Sequence, residues 1–258
     1  MLYICIVPNR GARIGHQTHE YFVLVNYCRK FGFVFVYHEF TCNSRVIGAA
    51  LQFDKINTVK FTDDAIQSLK RISLRDIRSN YHETLLELHK KEESVLLYDH
   101  ICGNEFFLGS LKYRPSRIEE EALHNEYSLF YKNMYPRQVD SAYICIHIRR
   151  GDILNMPSRY LNTMYFIDKY KYLLTKITDM NLPVYAVTEN NFNDEILLKQ
   201  HIPDVQIIKC DEVNAFYYLV HCNYLIASRS GFSNLAHFLG TMKIVVAPEW
   251  GFMAHNHI

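Results

Sequence analysis

Short apolar runs alternate with longer stretches of helical period along the whole chain. In the first half the runs cover residues 2–7, 33–37 and 95–100, with a weaker one near 56–61. In the second half they cover 142–148, 184–187, 205–208, 224–227 and 243–247. Between them the pattern predicts helices over 14–31, 63–71, 81–91, 117–131, 162–178, 193–201, 212–222 and 232–240. Runs that hardly alternate, separated by helices, predict parallel strands covered on both faces. That is the layout of a doubly wound α/β protein.

Arg114-Pro115-Ser116-Arg117 and Tyr135-Pro136-Arg137 punctuate the chain, and the charge density of 118–126 drops at Ala142. Two α/β halves are therefore expected, 1–140 and 141–258, with a cleft between them. There is no short-period repeat and no low-complexity tract.

Composition narrows the classes. Against 28 Lys and Arg stand 27 Asp and Glu, for a net charge of +1. A broad nucleic-acid surface needs a basic stripe, so that class is excluded, while a local basic cluster remains open. With 49% hydrophobic and 21% charged residues, the 258-residue chain has enough apolar content for a core. The seven cysteines (Cys5, Cys28, Cys42, Cys102, Cys145, Cys210, Cys222) include no C-x-x-C pair. An odd count inside apolar runs predicts reduced, mostly buried thiols in a reducing compartment. The opening Met-Leu-Tyr-Ile-Cys-Ile-Val lacks the basic start of a signal peptide, and no apolar run is long enough to span a membrane. A cytoplasmic protein, bacterial or virus-encoded, is the expectation.

Three segments carry candidate chemistry. The first is Ile144-Cys145-Ile146-His147-Ile148-Arg149-Arg150-Gly151-Asp152, an apolar strand running into two arginines, a glycine and an aspartate. In open α/β sheets ligands bind beyond the carboxyl ends of strands, and guanidinium groups grip phosphate oxygens as a fork. The plainer alternative is an arginine pair making surface salt bridges. The second is Tyr224 to Asn234, a strand, a small-residue turn and a helix start. Free amides and the positive dipole end suit a phosphate there; Ser230 and Ser233 supply hydroxyls and Gly231 allows close approach. The alternative is a simple N-cap. The third is Asn9 to Gln17, a strand, a glycine loop and a helix, with Gly11 and Gly15 flanking the turn. Its spacing is not the dinucleotide fingerprint G-x-G-x-x-G. D-x-D, P-loop, G-x-S-x-G, H-E-x-x-H and zinc-ligand spacings are all missing from the sequence. No cofactor and no metal are expected, so a leaving diphosphate must be neutralised by arginine and helix dipoles.

Together these segments resemble the fucosyltransferase superfamily that includes the α-1,2-, α-1,6- and protein O-fucosyltransferases. His147-Ile148-Arg149-Arg150-Gly151-Asp152 is similar to the α-1,2 signature. Thr188-Glu189-Asn190 resembles the next strand motif, with Glu189 and Asn190 where that family usually has two Asp. Ser230-Gly231-Phe232-Ser233 matches the third, and Gly11 to Tyr21 resembles the Gly-rich first loop, with His16 where the α-1,2 family usually has Asn. The likeness covers 1–40 loosely and 140–240 well, and leaves 41–140 unassigned.

The resemblance implies a GT-B-like architecture: two Rossmann-like domains facing across a cleft. Residues 1–140 would be the acceptor side and 141–258 the GDP-binding domain. It implies a metal-independent, inverting transfer of L-fucose from GDP-fucose to a glycan hydroxyl, of α-1,2 type. By motif match Arg149 contacts the β-phosphate, His147 lies by the nucleotide, and Ser230, Phe232 and Ser233 close around the diphosphate. Arg149 and Asp152 are the expected catalytic residues, Arg149 and Arg150 stabilising the leaving group and Asp152 a candidate general base. Glu39 and Glu189 are further candidates for the base. Arg150, Glu189, Gly231, Gly15, His16 and Gln17 complete the expected substrate contacts. Two rivals stand beside this reading: the same architecture with another nucleotide sugar, and an inactive nucleotide- or glycan-binding module. Acceptor choice is expected in loops such as 153–161.

Overall fold

A computed structural model describes residues 2–7, 25–36, 69–72, 81–91, 95–100, 116–138, 141–189 and 192–248. By contact the chain forms two compact units, Met1–Asn125 and Glu126–Ile258.

In the first unit a four-stranded parallel sheet has the order β2-β1-β4-β3. Its strands are β1 (Leu2–Val7), β2 (Val34–Val36), β3 (Lys70–Ile72) and β4 (Val95–His100). Helix α1 (Tyr81–Lys90) precedes β4, and residues 25–31 are helical before β2. Tyr27 is buried there against Phe31, Phe33 and His82, with its hydroxyl 2.9 Å from His82 Nδ1.

Of the helix expected over 63–71, residues 63–68 lie outside the described residues; its last two, Lys70 and Arg71, belong instead to the strand Lys70–Ile72, which among the described residues pairs with β4. Lys70 and Arg71 carry no apolar signal, and β3 has no need of one, because a short charged strand suits a sheet edge. The run expected near 56–61 lies outside the described residues.

The link into the second unit is α2 (Arg117–Met134), within which the contact division falls. It opens on a capping box, since Ser116 N–H donates to Glu119 Oε2 at 2.6 Å and Glu119 N–H to Ser116 Oγ at 3.3 Å. Its last turns pack into the second unit through Tyr131, whose ring meets Phe216 and His221. The segment beyond follows it: Arg137 bonds Ser141 O and Asn223 Oδ1, and Gln138 N–H donates to Tyr217 Oη.

In the second unit a five-stranded parallel sheet has the order β7-β6-β5-β8-β9. The strands are β5 (Ile144–Ile148), β6 (Val184–Thr188), β7 (Val205–Lys209), β8 (Tyr224–Ile226) and β9 (Ile244–Val246). Every residue of β5 is buried, as its unbroken apolar run requires. The alternating set Ile144, Ile146, Ile148, Val184, Ala186, Tyr224 and Ile226 packs under α3 (Thr163–Leu174) and α4 (Glu195–His201), with Phe166, Ile167 and Leu198 at the centre. Each fully buried Ile or Phe contributes about 1.5–3 kcal/mol, so this layer carries much of the unit's stability. Helices α5 (Glu212–His221) and α6 (Gly231–Leu239) pack on each other, and β5 meets α5.

Caps set the helix starts. Asn162 accepts from Tyr165 N–H, and Asp211 from the N–H groups of Val213 and Asn214. Cys28, Cys145 and Cys222 are buried free thiols and Cys210 an exposed one. Among the described residues no helix is long and apolar enough to cross a membrane.

The order of this sheet decides where a ligand goes. From β5 the chain adds β6 and β7 on one side and then β8 and β9 on the other. Strand order therefore reverses between β5 and β8, and the loops leaving those two strands open the crevice in which such sheets hold ligands.

Candidate functional site

Both signature segments leave the sheet at this switch point. His147, the penultimate residue of β5, turns to the side of α6. Its Nδ1 lies 2.5 Å from Ser233 Oγ and 3.1 Å from Ser228 Oγ, and its ring meets Phe232 at 5.6 Å. Burial, reinforced by the positive charge of Arg149, pushes the imidazole down to about 3. It is neutral at physiological pH and serves as a hydrogen-bonding hinge between β5 and α6.

The two arginines that follow part company. Extended backbone sends successive side chains to opposite faces, so adjacent residues at a strand end do not share a target. Arg149 stays near His147, as its effect on that imidazole shows. Its Nη2 donates to both Asp152 oxygens at 2.9 Å and its Nε to Oδ1 at 3.3 Å. Nη1 has no partner among the described residues. Asp152, its side chain 35% exposed, thus spends both oxygens holding the guanidinium plane.

Arg150 goes the other way and is 3% exposed. Its Nη1 donates to Arg149 O at 3.0 Å and Leu161 O at 2.9 Å, and its Nη2 to Thr163 Oγ1 at 3.0 Å. Thr163 Oγ1 in turn donates to Asp194 Oδ2 at 2.5 Å, and that carboxylate lies 3.9 Å from Arg150 Nη2. The rings of Tyr160, Phe192 and Phe166 surround the guanidinium at 4.9, 5.5 and 5.9 Å. Burial pulls it below the usual arginine range, with Tyr160, Asp194 and Glu189 opposing. Its donors are spent in the interior, not at the mouth of the crevice.

Glu189, at the end of β6, accepts the Arg150 N–H at 2.6 Å through Oε2. Its Oε1 would stand 3.0 Å from a Cβ at position 151, so Gly151 leaves the room this carboxylate fills. Glu189 shapes the arginine loop by its backbone.

The β8–α6 turn supplies the opposite wall. Ser230 caps α6, its Oγ accepting Phe232 N–H at 3.1 Å, while Asn234 N–H closes the first turn onto Ser230 O. Gly231 and Ser233 hold first-turn positions whose amides have no intrahelical acceptor. Ser233 has no exposed surface, and its hydroxyl serves His147. Phe232 sits between His147 and Phe216.

The structure thus brings His147, Arg149, Asp152, Ser230, Gly231, Phe232 and Ser233 to the β5 and β8 ends, with Glu189 and Arg150 behind them. Gly15, His16, Gln17, Glu39 and Asn190 lie outside the described residues. Sequence reasoning passed over Ser228, the second partner of His147, and Arg229, whose Nη1 holds Ser158 O at 2.9 Å. Both stand inside the same turn motif, where an unexplained hydroxyl and cation were the available signal. Among the described residues no three His, Cys, Asp or Glu side chains group closely enough to hold a metal ion.

No family model and no curated protein matches this sequence. Solved structures do match. POFUT1 in complex with GDP-fucose aligns with a TM-score of 0.54 at 8% identity, over 96% of this chain and 98% of that one. POFUT1 in complex with GDP gives 0.52 at 9% identity, over 95% and 97%. The fucosyltransferase NodZ from Bradyrhizobium aligns at 0.42 and 13% identity, over 92% of each chain. At these identities the POFUT1 likeness is one of fold, and the chain has the α/β fold that its sequence pattern predicts and the GT-B-like architecture that the resemblance implies.

Proposed function

We propose that the protein is a glycosyltransferase that moves L-fucose from GDP-fucose to a glycan hydroxyl, inverting the anomeric carbon without a metal, in an α-1,2-type linkage. One observation carries this reading. Arg149, its plane fixed by Asp152 and its Nη1 without a partner among the described residues, follows the end of β5 that His147 ties to Ser233 in the first turn of α6, at the sheet's switch point. POFUT1, whose fold this chain shares, is described with GDP-fucose and with GDP bound.

In this reading the acceptor oxygen forms a bond to C1 as the C1–phosphate oxygen bond breaks, GDP leaves with the electron pair, and the acceptor hydroxyl gives up its proton to water. Arg149 and the Gly231 and Ser233 amides meet the negative charge that builds on the departing diphosphate. His147, neutral, ties the two donor groups together. Asp152 orients Arg149 through both its oxygens.

The test is calorimetric titration with GDP and then UDP, in EDTA. Micromolar GDP binding, pushed into the millimolar range by Arg149→Ala, is expected. UDP binding in its place would keep the architecture and change the donor. No binding of either nucleotide would overturn the reading in favour of an inactive module.

A further inference from the structure

We infer that Arg150 is a positioning residue, which sets the Arg149 loop from the interior side of the sheet without touching the ligand. The inference rests on the reading of Arg149 as the diphosphate contact. Arg150 Nη1 bonds Arg149 O and Leu161 O, so one nitrogen gathers both ends of the loop between them. Nη2 fastens that gathered loop to Thr163, the first residue of α3, and through it to Asp194, the residue before α4. The backbone of the same residue is fixed separately, by Glu189 from the end of β6. Arg150 is thus held at its N–H by the sheet and at its guanidinium by the helix layer, and Arg149 has little freedom between them.

The chemistry is particular to arginine. Three acceptors in different directions need a planar fork of donors, and the surrounding rings favour a flat, weakly hydrated cation. A lysine keeps the charge and has neither the fork nor the plane. Burial supplies the remaining constraint, because the side chain, 3% exposed, cannot swing out to a ligand without giving up its bonds to Arg149 O, Leu161 O and Thr163 Oγ1 in the interior.

The experiment uses Thr163→Val and Arg150→Lys in the full chain, with GDP as the probe and titrations carried to millimolar concentration. Thr163→Val keeps Arg150 and nearly keeps the shape of residue 163, so it guards against Arg150→Lys failing to fold. GDP affinity is expected to fall roughly 10–100-fold in Thr163→Val, the scale of one lost hydrogen bond to a charged group, and further in Arg150→Lys. A general loosening of the fold would also weaken binding, so the deciding readout is the combination with Arg149→Ala. If Arg150 acts through Arg149, Thr163→Val lowers GDP affinity no further once Arg149 is Ala. Additive losses, or wild-type GDP affinity in Thr163→Val, would overturn the inference while leaving the site reading intact. Wild-type GDP affinity in Arg149→Ala would instead overturn the site reading.

Discussion

The imidazole of His147 stands 2.5 Å from the hydroxyl of Ser233, a residue 86 positions further along the chain. That single contact ties the carboxyl end of β5 to the first turn of α6. It joins the two segments that the sequence offers as candidates for phosphate binding, around an imidazole that burial keeps neutral.

The state of His147 makes stability depend on pH in a defined window. Its native value is depressed from 6.5 to about 3, so the unfolded chain takes up a proton that the native chain refuses. The stability associated with neutral His147 is present above about 6.5 and is lost as pH falls toward about 3. Each pH unit inside the window costs at most about 1.4 kcal/mol. Denaturant midpoints at pH 7, 5 and 4 should fall more steeply for the wild type than for His147→Gln. Because His221 is also depressed by burial and contributes its own slope, the difference between the two proteins is the quantity to read.

Arg149→Ala should reduce turnover by about 10²–10³, the usual loss when one donor to a developing negative charge is removed. The fold should survive, since the Asp152 carboxylate is one-third exposed and can be hydrated. A melting temperature close to wild type together with turnover within a few fold of wild type would contradict the assignment.

Gly151→Ala should push on Glu189. The added Cβ lies 3.0 Å from Oε1, while the other oxygen of the same carboxylate is pinned by Arg150 N–H at 2.6 Å. A loss of about 1–2 kcal/mol is expected, the scale of a weakened hydrogen bond to a charged group. In a Glu189→Ala background the same substitution should cost almost nothing, and urea unfolding of the four proteins of this cycle measures it.

Ser230→Ala should cost about 1 kcal/mol and Ser230→Gly only a few tenths, because a glycine keeps most of the capping conformation that alanine loses. Thermal unfolding of the two variants distinguishes a cap from a side chain that matters to the fold in some other way. Equal costs would argue against the cap.

These outcomes also mark what the chain discloses before folding. The strands of the second unit were legible because β5 and β8 are buried at every position, so continuous apolar runs were the right signal. Lys70–Ile72 was not legible, because a short strand with one neighbour among the described residues needs no apolar run. His147, Arg149 and Ser230 were legible as motif residues. The separation of Arg149 from Arg150 was implicit in strand alternation, but adjacent arginines read in sequence as one cationic pair. Ser233 stood out in the sequence as a candidate and not as the partner of His147, since nothing local announces a contact across two strand-to-helix connections.

The strand order carries one more consequence, for a chain still being made. β5 is flanked in the finished sheet by β6 and β8, and β8 arrives only at Tyr224–Ile226. A nascent chain that has completed β5, β6 and β7 therefore presents β5 as an open sheet edge, with Ile-Cys-Ile-His-Ile unpaired on one side. Such an apolar edge invites another strand. Polypeptides released before residue 224 should accordingly self-associate, and those that extend past β9 should remain monodisperse.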